Sequence, residues 1–199
     1  MVQLLMLPLG DYQTNCYIAW ASGSDTCVVI DPGYAPKEIL HKAEVVNKKI
    51  EAILLTHGHF DHVGAVESIA KKTGCPVYLH KADSEAQPQM LFPLTGKAFE
   101  ALKDLQTLHL AGLEITVLHT PGHTPGSVCF AFEDCLISGD TLFAGSIGRT
   151  DFPGGDYDTM CQSLAKLKEL KTDYDVFPGH GEATKLSAEK CRNPYLKVL

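Results

Sequence analysis

Apolar residues along this chain recur with two periods, and the alternation between them sets the expected architecture. Short apolar runs bounded by Gly, Pro or polar residues read as strands at 2–8, 16–20, 26–30, 50–55, 76–79, 112–119, 127–132, 135–138 and 174–177. Stretches with apolar positions at helical spacing read as helices at 36–46, 62–73, 97–102, 157–170 and 182–190. The first of these starts at Pro36, where a missing N–H costs little. In each half of the chain a run of strands gives way to strands alternating with helices. That order predicts an α/β fold of four layers, αββα, with two sheets face to face and helices outside. No repeat or low-complexity tract interrupts it, so residues 1–199 read as a single domain. The loop-rich stretches are 81–96 and 142–156, and the second carries Gly145, Gly148, Gly154 and Gly155.

Composition narrows the class. With 199 residues, 45% hydrophobic and 21% charged, the chain can build a sizeable core and looks like an ordinary globular protein. No apolar run reaches the roughly 20 residues that cross a bilayer. Residues 1–9 are apolar but lack a basic start, and they read as a first strand in a cytoplasmic protein. A net charge of −7 argues against a nucleic-acid surface, which needs clustered Lys and Arg. It does not exclude an anionic substrate, because bound dications make the local field positive. The seven cysteines include no C-x-x-C pair, and Cys16, Cys27 and Cys129 lie in apolar runs. They read as buried thiols in a reducing compartment.

Candidate chemistry concentrates in Thr56-His57-Gly58-His59-Phe60-Asp61-His62, directly after the apolar segment Ala52-Ile53-Leu54-Leu55. Two His two residues apart on extended backbone point the same way, so His57 and His59 can grip one ion. Asp61 and His62, at the turn into a helix, face elsewhere and can serve a second. One loop cannot close two coordination spheres, so further ligands are expected from later strand ends. Thr120-Pro121-Gly122-His123, Ser138-Gly139-Asp140 and Phe177-Pro178-Gly179-His180 each place a ligand type after a strand, beside a Gly that permits close approach. The coherent division puts His57, His59 and His123 on one metal and Asp61, His62 and His180 on the other. Asp140, with two oxygens, bridges. Imidazole and carboxylate suit zinc, with iron or manganese as alternatives. His41, His80, His109 and His119 are assigned no role in the site.

The order H-x-H-x-D-H, then His, Asp and His, resembles the metallo-β-lactamase superfamily over essentially the whole chain. The resemblance implies the αββα fold and two divalent metal ions held by those seven residues. It leaves the substrate open, since one fold hosts many activities. The loop from Gly145 to Asp156 is similar to that of glyoxalase-II-like proteins and their persulfide dioxygenase relatives. In the long hydroxyacylglutathione hydrolases a basic residue there contacts glutathione, and Arg149 fills that place. Two residues after the last His those enzymes carry Tyr, where this chain has Glu182. The chain is thus similar to the short, single-domain glyoxalase-II-like bacterial proteins.

The activity this implies is hydrolysis of a small-molecule thioester such as S-D-lactoylglutathione, with Asp61 and Asp140 as the acidic residues of the centre. A hydroxide bridging metals about 3.5–4 Å apart would be the nucleophile, and a thiolate leaves without a general acid. Arg149 is the expected substrate contact; Asp151 can orient it or, with Asp156, cap the following helix, and Asp156 is the expected cap. The alternative is a mononuclear iron persulfide dioxygenase using His57, His123 and Asp140. A secreted β-lactamase fits less well, because those enzymes carry Cys where Asp140 stands.

Overall fold

The computed structural model describes residues 1–84 and 99–198. In chain order the first half comprises β1 (Val2–Leu9), β2 (Thr14–Ala21), β3 (Thr26–Ile30), α1 (Pro36–Val45), β4 (Lys49–Leu54), α2 (Phe60–Val63), α3 (Val66–Thr73), β5 (Val77–His80), α4 (Lys81–Ser84) and β6 (Glu100–Leu102). The second half comprises β7 (Thr107–Leu110), β8 (Leu113–His119), β9 (Val128–Phe132), β10 (Cys135–Gly139), β11 (Leu142–Phe143), β12 (Ser146–Ile147), α5 (Tyr157–Lys168), β13 (Asp175–Pro178), β14 (Thr184–Lys185), α6 (Leu186–Arg192) and α7 (Pro194–Lys197).

One sheet runs β1-β2-β3-β4-β5-β6, the other β14-β13-β10-β9-β8-β7. Side-chain alternation builds the layers. In β2, Tyr17 and Ala19 face the second sheet and join Val28, Ile30, Ala52, Leu54, Ile115, Val117, Phe130 and Ile137 in the inter-sheet core. Their neighbours Cys16 and Ile18 point the other way, onto Ile39 of α1 and Val66 and Ile69 of α3. Cys129, Ala131 and Leu136 likewise pack outward on Met160, Leu164 and Leu167 of α5 and on Leu186 and Leu196. Four layers, αββα, follow from that alternation. Among the described residues no helix is long and apolar enough to cross a membrane.

Most differences from the sequence reading arise where a partner overrides local pattern. The expected helix at 97–102 is instead strand at Glu100–Leu102, parallel to β5, with Leu102 in the inter-sheet core; residues 97 and 98 lie outside the described set. The expected loop at 81–96 begins with the helical turn α4, and the remainder lies outside the described residues. The helix expected at 62–73 is two helices, because the intervening backbone docks on the turn after β3. Ala65 N–H donates to the Pro32 carbonyl at 2.9 Å, and a Cβ on Gly64 would collide with the Gly33 carbonyl oxygen. The helix expected at 182–190 starts at Leu186, since Thr184–Lys185 extends the second sheet beside β13. The strand β7 and the terminal turn α7 carried no strong signal, and the hairpin β11–β12 lay hidden in a stretch read as loop.

Candidate metal centre

All the anticipated ligands lie past the C-terminal ends of strands that run in one direction. His57 and His59 follow β4, Asp61 and His62 lie in α2 after the same strand, His123 follows β8, Asp140 follows β10, and His180 follows β13. Loops at that edge of an α/β sheet are where side chains from distant segments can converge. The two sheets are stitched together there by Val128 N–H to the Thr56 carbonyl at 2.8 Å and Asn15 N–H to the Gly179 carbonyl at 2.8 Å.

The side chains form two groups. Ligand atoms of His57, His59 and His123 lie within 4.8 Å of one another, and so do those of Asp61, His62 and His180. Asp140 stands between the groups. Its Oδ2 is 3.5 Å from His123 Nε2 and 3.6 Å from His180 Nε2, while its Oδ1 is 3.5 Å from His62 Nε2. Asp61 Oδ2 is 3.3 Å from His180 Nε2 and accepts a 3.0 Å hydrogen bond from Thr14 Oγ1. Gly179 permits this packing, because a Cβ there would overlap the Asp140 carboxylate and press on the His62 ring.

Several of these rings are oriented by a partner on the far side. His62 Nδ1 donates to Asp31 Oδ2 at 2.9 Å, His123 Nδ1 to the Arg149 carbonyl at 2.7 Å, and His180 Nδ1 to the Tyr12 carbonyl at 3.1 Å. Thr56 Oγ1 donates to Asp31 Oδ2 at 2.6 Å, so toward His57 Nδ1 at 3.0 Å it is the acceptor. Holding the proton on Nδ1 leaves the Nε2 lone pair of these rings for a metal. The fit is direct: Nε2 of His57, His59, His62 and His123 and Oδ1 of Asp140 are buried with no hydrogen-bond partner. Each such atom would cost about 1–3 kcal/mol if left unpaired. Five of them converging on one spot is the arrangement that cations resolve.

Electrostatics agree. Burial and the neighbouring imidazoles push His57 well below the usual histidine range and bring His59 down to about 4. Burial also opposes charge on His62, but Asp140, Asp31 and Asp61 outweigh it and raise the ring to about 9. Asp61 is held below the usual carboxylate range, since hydrogen bonds from His180 and Thr14 and the charge of His62 outweigh its burial. The carboxylates therefore draw positive charge into the cavity, onto His62 in the metal-free protein, while burial keeps His57 and His59 neutral.

Arg149 lies at the rim. Its Nε and Nη2 both donate to Asp151, each at 2.8 Å, and its guanidinium stacks 3.6 Å from the Phe152 ring centroid. Phe152 in turn meets the His59 ring edge-on at 6.0 Å. The guanidinium thus sits beside the first group with its charge already answered by a carboxylate. Asp156 caps α5 by accepting from Thr159 N–H at 2.7 Å. On the opposite rim, Tyr12 and Phe60 pack edge to face at 5.3 Å.

Comparison with known proteins decides the family. Residues 9–180 match the family model described as Metallo-beta-lactamase superfamily. The chain belongs to the metallo-beta-lactamase superfamily. Among its relatives, Hydroxyacylglutathione hydrolase GloC of Haemophilus influenzae is 33% identical, with 96% of this chain and 96% of that protein covered. The crystal structure of BLEG-1, described as a B3 metallo-beta-lactamase, has a TM-score of 0.89 at 36% identity over 98% of this chain and 99% of its own. The crystal structure of TTHA1623 in a di-iron-bound form has a TM-score of 0.84 at 36% identity, covering 96% and 100% of the two chains. The chain is accordingly a metal-dependent hydrolase of this superfamily.

Within that superfamily scaffold, the sequence reading missed the residues that position the candidate ligands. Asp31 directly follows β3 and precedes Pro32-Gly33, the same strand-end signature as the candidate ligand segments, and this signal was available. Asp83 is fully buried and accepts hydrogen bonds from Gly58, Thr124 and Gly126, but no local pattern marks it. Asn15 and Tyr17 anchor the His180 loop. Asn15 Nδ2 donates to the carbonyls of Pro178 at 2.9 Å and Gly181 at 3.0 Å, and Tyr17 Oη donates to Pro178 at 2.6 Å. Both read from sequence as parts of a strand.

Proposed function

We propose that this chain is a dinuclear hydrolase of acyl thioesters, with S-D-lactoylglutathione as its representative substrate. The observation that carries the dinuclear reading is the pair of His/Asp groups with Asp140 shared between them. His57, His59 and His123 hold one divalent ion, Asp61, His62 and His180 the other, and zinc is the metal assigned, with iron or manganese as alternatives. When bound, such ions lower the pKa of a water and polarise a carbonyl oxygen.

The chain's own residues supply the rest. Asp140 and Asp61 place two carboxylates in the centre, balancing the dications. Asp31, Thr56 and the carbonyls of Arg149 and Tyr12 engage Nδ1 of His62, His57, His123 and His180, which turns Nε2 of those rings inward as the metal-binding nitrogen. His180, the most exposed of the His ligands, marks the open side through which substrate enters. Arg149, on its Phe152 support, meets the substrate's anionic part at the rim. A thiolate is a good leaving group, so the absence of an assigned general acid is consistent with a thioester. The glyoxalase-type relative supports this substrate class, and the di-iron-bound neighbour supports two ions. The buried thiols Cys27 and Cys129, pushed up by burial to about 12 and about 11, stay protonated and unreactive.

The test is a metal count on purified protein together with turnover of S-D-lactoylglutathione under strict anaerobiosis. Two ions per chain and oxygen-independent release of thiol are expected. One iron per chain, with oxygen uptake on glutathione persulfide and no thioester cleavage, would establish the dioxygenase instead. Faster hydrolysis of a β-lactam than of any thioester would move the activity toward that of the BLEG-1 neighbour.

A further inference from the structure

We propose that Asp83 is the positioning residue of the first metal group, a single carboxylate that clamps the His57–His59 loop to the His123 loop. This rests on the dinuclear reading above and extends it to a residue outside the candidate ligand groups. Asp83 closes the helical turn after β5, and its side chain is fully buried. Oδ2 accepts from Gly58 N–H at 2.9 Å and from Thr124 Oγ1 at 2.8 Å, and Oδ1 accepts from Gly126 N–H at 2.6 Å.

The identity of the donors gives the inference its force. Gly58 is the residue between His57 and His59. Thr124 is the neighbour of His123, and Gly126 lies two residues further. Every ligand of the first group therefore sits one residue from a bond to Asp83, whereas the second-group ligand nearest in sequence, Asp61, is three residues from one. The second group has its own holders, Asp31 on His62, Thr14 on Asp61 and Tyr12 on His180. The loops that Asp83 joins come from different sheets, and apart from the Val128–Thr56 backbone bond at their base the carboxylate is what ties them together. Thr124 Oγ1 also meets Ser127 Oγ at 2.8 Å, which ties the clamp into the turn leading to β9.

Chemistry also specifies the residue type. A backbone N–H can only donate, and one faces each oxygen, so both oxygens must accept. Asn in this position turns an –NH2 toward one of those N–H groups, and Ala leaves both buried donors without an acceptor. Loss of the clamp should therefore loosen the first group and spare the second.

The experiment titrates metal-free wild type and Asp83→Asn with Zn2+ against a chromophoric chelator, alongside melting curves of both metal-free proteins. The wild type should take up two ions, and Asp83→Asn should weaken one of them by about 10–100-fold, as loss of an outer-shell partner does. In a His123→Ala background Asp83→Asn should cause no further loss, while in a His180→Ala background its effect should persist in full. Equal weakening of both ions, tracking a lowered metal-free melting temperature, would reduce Asp83 to a general structural role and overturn the proposal. Unchanged affinity would overturn it too. Should Asp83→Asn fail to fold, Thr124→Val removes one donor and should give a smaller loss with the same selectivity. A wild type that binds one ion would refute the dinuclear reading, and Asp83 would then stand or fall on whether that ion is weakened.

Discussion

Asp140 has oxygens toward both histidine groups, and one of them is buried with no hydrogen-bond partner. Asp140→Asn keeps the shape but removes a negative charge and one acceptor. Turnover should fall further than the about 10–100-fold that loss of an outer partner costs, and metal analysis should show less than two ions per chain. His62 gives the pH dependence. Its neighbours raise it to about 9 in the metal-free protein, so below that pH it carries a proton that a metal must displace. Zinc binding should release protons between pH 7 and 9, with affinity rising as pH rises and flattening above about 9. Calorimetry in buffers of different ionisation enthalpy reads this directly, and proton-neutral binding at pH 7.5 would contradict it. At the rim, the fork of Arg149 is engaged by Asp151. Asp151→Ala should free it and lower KM for an anionic thioester several-fold, whereas Arg149→Ala should raise KM with little change in kcat. An unaltered KM in both would make this pair a support for Phe152 only.

At the scale of elements, the site is a set of strand ends whose spacing depends on small residues at the crossings. Gly179 separates β13 from His180 and lies against both the Asp140 carboxylate and His62. Gly179→Ala should shift Asp140 away from the second group, so kcat should drop at least tenfold, on the order of the cost of an angstrom-scale misplacement. Circular dichroism should remain that of the folded protein. The break between α2 and α3 has a similar origin, since the backbone there must reach the turn at Pro32. A single straight helix from His62 would carry the ligands away from the β3 turn, and with it from Asp31.

For the whole molecule, the metals should act as cross-links between two halves that share few covalent constraints. His57, His59, Asp61 and His62 come from the first sheet's loops, and His123, Asp140 and His180 from the second's. Ions that bind only the folded state stabilise it by about 4 kcal/mol per site at a thousandfold excess over Kd. For a chain of this size that corresponds to roughly 10 °C or more in melting temperature. Chelation should remove it, as scanning calorimetry with and without EDTA will show; an unchanged Tm would mean that no ion is held selectively by the folded state.

Local pattern by itself determined most of the strands, because alternation in β2 or an apolar run such as Val28-Val29-Ile30 is written in the residues that form it. It also marked the ligand segments, since His and Asp beside Gly at strand ends have few packing explanations. It could not place β6, whose three residues become a strand only by pairing with β5, nor divide α2 from α3, where a distant carbonyl decides. Nor could it find Asp83 or Asn15. A carboxylate or amide acquires its role from donors and acceptors many positions away, and such partners exist only once the two sheets have met. The pairing of Arg149 with Asp151 was read from their proximity in the loop, but the stacking on Phe152 beside His59 was decided by the folded loop. Short-range periodicity and the His/Asp motifs thus specified the layers and the candidate ligand types, while the convergence of those residues on one spot was settled by tertiary contacts alone.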